Sequence, residues 1–398
     1  MSWITIKLSE LTEVYSGFAF KSKDLTDEGG IPVIKIKNIH DRIVDKNVQT
    51  YLPKKLFIKK YEKYILEKQD ILIAMTGQGS VGRIGKMMSF NDEYLVNQRV
   101  GIIRANEKEL DSEYLYQCLA TKKHENYYFN LAVGAGQPNL SPKDIGSLEI
   151  TIPKSINTQK KIASILSAYD DLIENNLKRI KLLEESAQRL YKEWFVDFKF
   201  PNHENTPINP ETGLPDGWER SNLFNIANVT TGYPFKSKDF NTEKLGRPAV
   251  RIRDIPNQLT QTFINKEVPE KYNIHRGDIL IGMDGFFYID IWCGQTDSVL
   301  VQRVCKITTL NGLSQGYLLE ALKPPIKYFE KTISGATVAH LGIKHLKEID
   351  IIIPSKEIDL AIFDKMNKEK INLFHQNQNL KEARDLLLPR LMNRTIEV

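Results

Sequence analysis

Hydrophobic and polar positions follow two rhythms along this chain, and the switch between them happens twice. Between Trp3 and Pro153 the apolar residues come in short runs or strict alternation. Pro32-Val33-Ile34-Lys35-Ile36-Lys37 alternates with basic positions, and Asp70-Ile71-Leu72-Ile73-Ala74-Met75 is a compact apolar block. A period of two predicts a half-buried strand, and a short apolar block predicts a buried one. From Gln159 the rhythm becomes helical. Ile162, Ile165, Leu166, Tyr169, Leu172, Ile173, Leu177, Ile180, Leu183, Ala187, Leu190 and Phe195 recur at three- and four-residue spacing, which predicts an amphipathic helix of about ten turns. Strand-like blocks return after Trp218, and the chain closes on a weaker stripe through Ile362, Phe363, Met366, Ile371, Phe374, Leu380, Leu387 and Leu391. Stripes this narrow on long helices suit a coiled coil, with each helix the obvious first partner of the other.

The second strand-rich block repeats the first. Trp3 and Gly17-Phe18-Ala19-Phe20-Lys21-Ser22-Lys23-Asp24 return, at an offset of 215, as Trp218 and Gly232-Tyr233-Pro234-Phe235-Lys236-Ser237-Lys238-Asp239. Pro32 to Ile39 returns as Pro248 to Ile255, and Asp70 to Met75 as Asp278 to Met283. Asn97-Gln98-Arg99-Val100 returns as Val301-Gln302-Arg303-Val304. Gly134-Ala135 through Pro153 returns as Gly335-Ala336 through Pro354, by which point the offset has fallen to 201. A duplication this long predicts two similar sites arranged by pseudo-symmetry. A Pro- and Asn-rich stretch after the first helix reads as a linker. The expected order is a globular domain over 1–155, a helix over 156–200, a linker over 201–216, a second globular domain over 217–355 and a closing helix over 356–398.

With 398 residues, 41% hydrophobic and 26% charged, the chain can bury sizeable cores. Its three cysteines show no C-x-x-C spacing, so neither a disulfide framework nor a zinc site is expected. No apolar run approaches a membrane span and the first residues lack a signal pattern, so a cytoplasmic protein with no membrane partner is expected. A net charge of +5 permits a nucleic-acid partner without requiring one. Placement says more: Lys21, Lys23, Lys35 and Lys37 return as Lys236, Lys238, Arg251 and Arg253. Retained charge suits phosphate contacts, though lysines also decorate solvent faces.

Catalytic motifs fail one by one. Gly77-Gln78-Gly79-Ser80-Val81-Gly82 has dinucleotide spacing, but no helical stripe follows and copy 2 has Gly285-Phe286-Phe287-Tyr288 instead. A glycine-rich turn exposing Gln78, Ser80 and Arg83 is the better reading. The phosphate-loop near-match ending Gly85-Lys86-Met87 lacks its first glycine and its hydroxyl. No Asn/Asp-Pro-Pro-Tyr/Phe segment is present, the seven histidines have no H-E-x-x-H spacing, and the nuclease-like Pro215-Asp216 lacks its completing lysine. No catalytic residue, metal or resident cofactor is expected. What remains is polar material in matching loops: Gln98-Arg99 with Gln302-Arg303, Asn139 with His340, and nearby Lys344. Arg, Gln and Asn read base edges, whereas Lys and Ser position a protein on phosphates. Gln98 and Gln302 equally fit buried amides bonded to strand ends, while Phe20 and Phe235 read as core.

In this order the motifs resemble one family, the specificity subunit of type I restriction-modification systems. The markers are Ser16-Gly17-Phe18-Ala19-Phe20-Lys21, Asp70-Ile71-Leu72-Ile73 with Gly79-Ser80-Val81-Gly82, and Asn97-Gln98. Gln159-Lys160-Lys161-Ile162-Ala163-Ser164-Ile165-Leu166, Trp194-Phe195-Val196-Asp197-Phe198 and Leu214-Pro215-Asp216-Gly217-Trp218-Glu219 complete them. The resemblance spans essentially the whole chain. It implies an α+β architecture of two pseudo-repeated α/β target recognition domains separated by two long antiparallel coiled-coil helices. It also implies a non-catalytic subunit reading a bipartite DNA site, with two methyltransferase subunits docked on the helices and two restriction subunits joining them. S-adenosylmethionine, ATP and magnesium would belong to those partners. Ile165, Leu172, Leu183, Leu190, Phe195, Phe374, Leu380 and Leu387 are the expected docking positions. One departure stands out: before the second helix Pro354 is kept, but no glutamine matches Gln159. The rivals are a coiled-coil scaffold joining protein partners without reading DNA, and a self-sufficient modification enzyme.

Overall fold

The computed structural model describes residues 2–88, 92–133, 138–333, 339–393 and 395–397. The repeat elements Gly134-Ala135 and Gly335-Ala336 lie outside them. The chain forms two compact units, Met1–Glu174 with Asn379–Val398, and Asn175–Gln378. Each therefore contains one globular copy together with a stretch of both long helices.

In unit 1 the block Ile71–Ala74 is a strand buried at every position, antiparallel to both Val100–Ala105 and Ile84–Lys86. Thr12–Ser16 lies outside Val100–Ala105, completing the first four strands of a six-stranded sheet. In unit 2 the equivalent order is Ala227–Thr231, Val304–Thr309, Ile279–Gly282 and Ile289–Ile291. The alternating segments form strands only over Ile31–Ile34 and Arg247–Val250, each joined in parallel to a short strand, at Val33 with Leu95 and Ala249 with Val299. Their basic halves turn instead into one-turn helices, Ile36–Asn38 and Ile252–Asp254. An antiparallel pair closes each copy, Trp3–Lys7 with Glu149–Pro153 and Glu219–Asn222 with Asp350–Ile353.

Copy 1 has two helices where copy 2 has one. Ser112–Leu119 stops before Thr121, whose hydroxyl caps the next helix, Lys122–Ala132. Copy 2 runs unbroken over Gln315–Thr332 with Pro324 and Pro325 inside it.

The long helices span Ile156–Tyr191 and Ala361–Met392, and the first ends in one wider turn, Lys192–Val196. Within unit 1 they run antiparallel: Ile162 and Leu166 share a core with Leu388 and Leu391, and Asp170 meets Arg384 at 2.5 Å. Within unit 2, Asn176 bonds Asn377 at 3.0 Å and Glu184 meets Lys370 at 2.5 Å, again antiparallel. A buried Asn–Asn pair between the helices fixes register, because a slip takes each amide away from the other.

Gln159 anchors the first helix to copy 1. Its amide donates to the carbonyls of Pro153 and Glu109 and accepts from the Asp111 amide, at 2.8, 3.1 and 2.8 Å. Copy 2, which lacks that glutamine, uses Asp364 of the second helix, accepting from the Gly316 amide at 2.8 Å. The expected linker, 201–216, packs through Leu214 on the core of unit 2 and is flanked by Phe200 and Trp218, buried in the same core. Phe195 belongs to that core too, 2% exposed and 4.7 Å from the Tyr317 ring. Phe195 is one of the expected docking positions, but it is buried one turn beyond Tyr191, and both rings pack against Tyr317.

Candidate nucleic-acid interface

In each copy three loops converge on the end of the fully buried strand. In copy 1 the Met75 amide donates to the Arg99 carbonyl at 3.0 Å, and the Leu140 amide donates to the Met75 carbonyl at 2.8 Å. Copy 2 repeats both bonds, Met283 to Arg303 and Leu341 to Met283, each at 2.8 Å. The third loop is the repeated glycine segment. Phe18 donates to Val96 and accepts from Gln98, at 2.8 and 2.9 Å, while Tyr233 donates to Leu300 and accepts from Gln302, both at 2.9 Å. Glycine is needed here because a Cβ at Gly17 would lie 2.3 Å from the Val96 carbonyl oxygen, and one at Gly232 2.0 Å from that of Val301.

The frame aims the repeated polar residues outward in unequal ways. Gln98 and Arg99 are exposed, as is Asn139, whose backbone bridges Thr76. Gln302 is spent internally: its amide accepts from the Phe235 N–H and donates to the Phe235 carbonyl, both at 3.0 Å. Of its two open readings the bonded amide holds. Arg303 adopts a left-handed backbone, φ 74°, uncommon for a residue with a side chain. His340 bridges Asp284 as Asn139 bridges Thr76.

The basic positions divide by side-chain type. Lys21 and Lys23, like Lys236 and Lys238, are exposed around a one-turn helix. Lys35 is half-buried and Lys37 reaches Gln49 at 2.8 Å. In copy 2 Arg251, Arg253 and Arg303 line one cleft of about 570 Å³ with Ser237 and Phe240. Arg251 stacks over Phe240 at 4.1 Å, and burial, reinforced by neighbouring Arg253, pulls its pKa down from the ordinary arginine value. The glycine turn in copy 1 is self-bonded. Ser80 donates to the Thr76 carbonyl at 2.9 Å and Arg83 donates to that of Gly79, leaving Gln78 exposed. Lys344 is exposed on the short helix Ile343–Leu346 and does not line the cleft.

Sequence reasoning missed Asp284, Lys60 and Lys266. The two lysines lie over equivalent rings, Lys60 over Phe18 at 5.1 Å and Lys266 over Tyr233 at 5.4 Å. Asp284 follows directly on a matched block and replaces Thr76, so a comparison of the copies one residue further would have exposed it.

On the long helices Leu190 and Phe374 pack on the unit 2 core and Leu387 on that of unit 1. Leu183 and Leu380 are half-buried. Ile165 and Leu172 are exposed, together with Leu177, Leu182 and Leu386. Among the described residues no group of three or more His, Cys, Asp or Glu is placed to hold a metal, and no helix is long and apolar enough to cross a membrane.

Residues 2–185 and 215–382 match the Type I restriction modification DNA specificity domain, once for each copy. The chain is 27% identical over 421 residues to the type I restriction enzyme MjaIX specificity subunit of Methanocaldococcus jannaschii, covering 98% of this chain and 92% of that one. It is also 27% identical over 410 residues to the HindI specificity subunit of Haemophilus influenzae, covering 83% and 87%. The crystal structure of a type I restriction-modification S subunit from M. genitalium shares the fold, with TM-score 0.54, 17% identity and coverage of 98% and 95%. The chain thus belongs to the type I restriction-modification DNA specificity family, as a non-catalytic DNA-recognition subunit.

Proposed function

We propose that each copy reads one half of a bipartite, asymmetric DNA site, and that the long helices dock two methyltransferase subunits, through which two restriction subunits join. One observation carries this reading. The two copies hold the same backbone frame around the strand end and keep an arginine there, Arg99 and Arg303, while the side chains beside it differ: Thr76 and Asn139 against Asp284 and His340. A shared frame supports one mode of docking on DNA, and different side chains support different half-sites. Lys21, Lys23, Lys35, Lys37, Lys236, Lys238, Arg251 and Arg253 are assigned to phosphates. The exposed leucines at 172, 177, 182 and 386 are assigned to the methyltransferase subunits, since isolated helix pairs gain nothing from leaving them in water. S-adenosylmethionine, ATP and magnesium belong to the partners in this reading. The test is selection from random duplexes by the chain with its methyltransferase subunits. Two short fixed motifs around a constant gap are expected; no enrichment with the partner present overturns the proposal.

A further inference from the structure

A three-residue cluster at the strand end of copy 2 has no counterpart in copy 1. Asp284 holds two neighbours at once. Its Oδ1 lies 2.6 Å from His340 Nδ1, and its Oδ2 lies 3.2 Å from Arg303 Nε. A carboxylate only accepts, so the short contact places the proton on His340 Nδ1, and the 3.3 Å approach of Arg303 to that same nitrogen is adjacency rather than a hydrogen bond. The tautomer follows: in the neutral ring Nε2 is left as an acceptor. The guanidinium is fixed through Nε, which leaves its terminal amino groups to donate. The side chains are 56% exposed for Arg303 and 48% for His340, but 29% for Asp284, so the carboxylate sits behind the two groups it aims. The left-handed backbone of Arg303 points the same way, since local strain of this kind persists where surrounding structure holds it, often at binding sites. Arg99 has no such backbone, and Thr76 supplies no carboxylate beside it.

Two donors beside one acceptor is the complement of a single base-pair edge. In the major groove guanine offers two acceptors, N7 and O6, and its cytosine partner offers the N4 amino donor. Resting on the reading of the chain as a DNA-recognition subunit, we infer that Arg303 and His340 together read one G·C pair in the half-site of copy 2, with Asp284 as their positioning residue. Arg303 bonds guanine bidentately and His340 Nε2 accepts from cytosine. Asn139 in copy 1, whose amide both donates and accepts, suits a different pair.

Selection from random duplexes tests this with the chain and its methyltransferase subunits, comparing wild type with Arg303→Lys and Asp284→Thr, the latter installing the copy 1 residue. Arg303→Lys keeps the charge and loses the fork. The expected result is a fall of about tenfold or more in preference for one G·C pair, confined to one half-site, with the other motif retained as an internal control for folding. Asp284→Thr should weaken the same pair while leaving salt dependence unchanged, which a purely electrostatic role for Arg303 would not predict. Identical motifs from wild type and Arg303→Lys overturn the assignment of Arg303, and an unchanged Asp284→Thr motif overturns the positioning role. If wild type itself yields no fixed motif, the broader reading fails and this one with it.

Discussion

The two copies solve the same backbone problem with different polar side chains, and the contrast is sharpest beneath the strand on whose end the three loops converge. In copy 1 the buried Asp70 is gripped by Arg104 through two bonds of 2.7 and 2.8 Å. In copy 2 Asp278 has Lys306 at 4.0 Å and the Thr308 hydroxyl at 3.4 Å. Both carboxylates still accept a backbone N–H three residues upstream, Glu67 for Asp70 and His275 for Asp278, at 2.7 Å each. What duplication preserved is the turn that starts the strand. What it released is the countercharge, because a turn constrains the chain whereas an ion pair can be replaced.

The largest effect separates core from surface on the helices. Phe195→Ala should destabilise unit 2 by about 3–5 kcal/mol, the cost of emptying a packed aromatic site. Loss of hydrogen-exchange protection should concentrate in the Trp218–Ile353 region. Leu182→Ala, at a position 61% exposed, should change stability by less than about 0.5 kcal/mol while weakening co-purification of the methyltransferase subunit. Equal stability for the two variants would return Phe195 to the docking face.

Next is the buried ion pair of copy 1. Asp70→Asn should cost about 3 kcal/mol, at the low end for breaking such a pair, since Arg104 keeps Glu67 at 2.6 Å. The pair also shows in the arginine, whose pKa the Asp70 hydrogen bond pushes above the ordinary value. Exchange protection should fall in copy 1 and persist in copy 2. A loss below about 1 kcal/mol would mean that copy 1 rests on its turn as fully as copy 2 does.

Smaller effects are expected at the lysines proposed to contact phosphates. Lys21→Ala and its repeat partner Lys236→Ala should each weaken binding across sequences and lower the salt slope by about one, leaving both motifs intact. Arg99→Ala should instead relax one half-site. A salt slope unaffected by Lys21→Ala would remove that lysine from the phosphate set.

The repeat made much of this legible. The apolar blocks located the buried strands, because a strand with both faces buried writes itself into local sequence. The period-two alternation located the strands at Val33 and Ala249 but ran on into the one-turn helices Ile36–Asn38 and Ile252–Asp254. The long helices were equally plain. The fate of Gln302 was not, since an amide that reads a base and an amide that clamps the Phe235 backbone are the same residue type in the same loop. Phe195 lies on the apolar stripe that the period marks, sharing a core with Leu190 and Tyr191, but a period does not tell a face covered by the chain's own domain from one left for a partner. The Asp284 cluster depends on three residues brought together from positions 284, 303 and 340, a contact no local period records.

The smallest effect concerns the carboxyl that lost its strong partner. Burial pushes Asp278 above the usual aspartate range, against the pull of the His275 N–H and of Lys306. A carboxyl whose folded pKa exceeds its unfolded one binds its proton more tightly in the native state. Its contribution therefore improves as the pH falls through the folded pKa, and holding it ionised above that pKa costs stability. Asp278→Asn keeps an acceptor for His275 and removes the charge. At neutral pH it should lie within about 1 kcal/mol of wild type and on the stable side, with the advantage shrinking as acid titrates the wild-type carboxyl. Chemical denaturation of the two proteins at pH 7 and at mildly acidic pH measures the difference. A variant clearly less stable at pH 7 would show that Lys306, even at 4.0 Å, does for copy 2 what Arg104 does for copy 1.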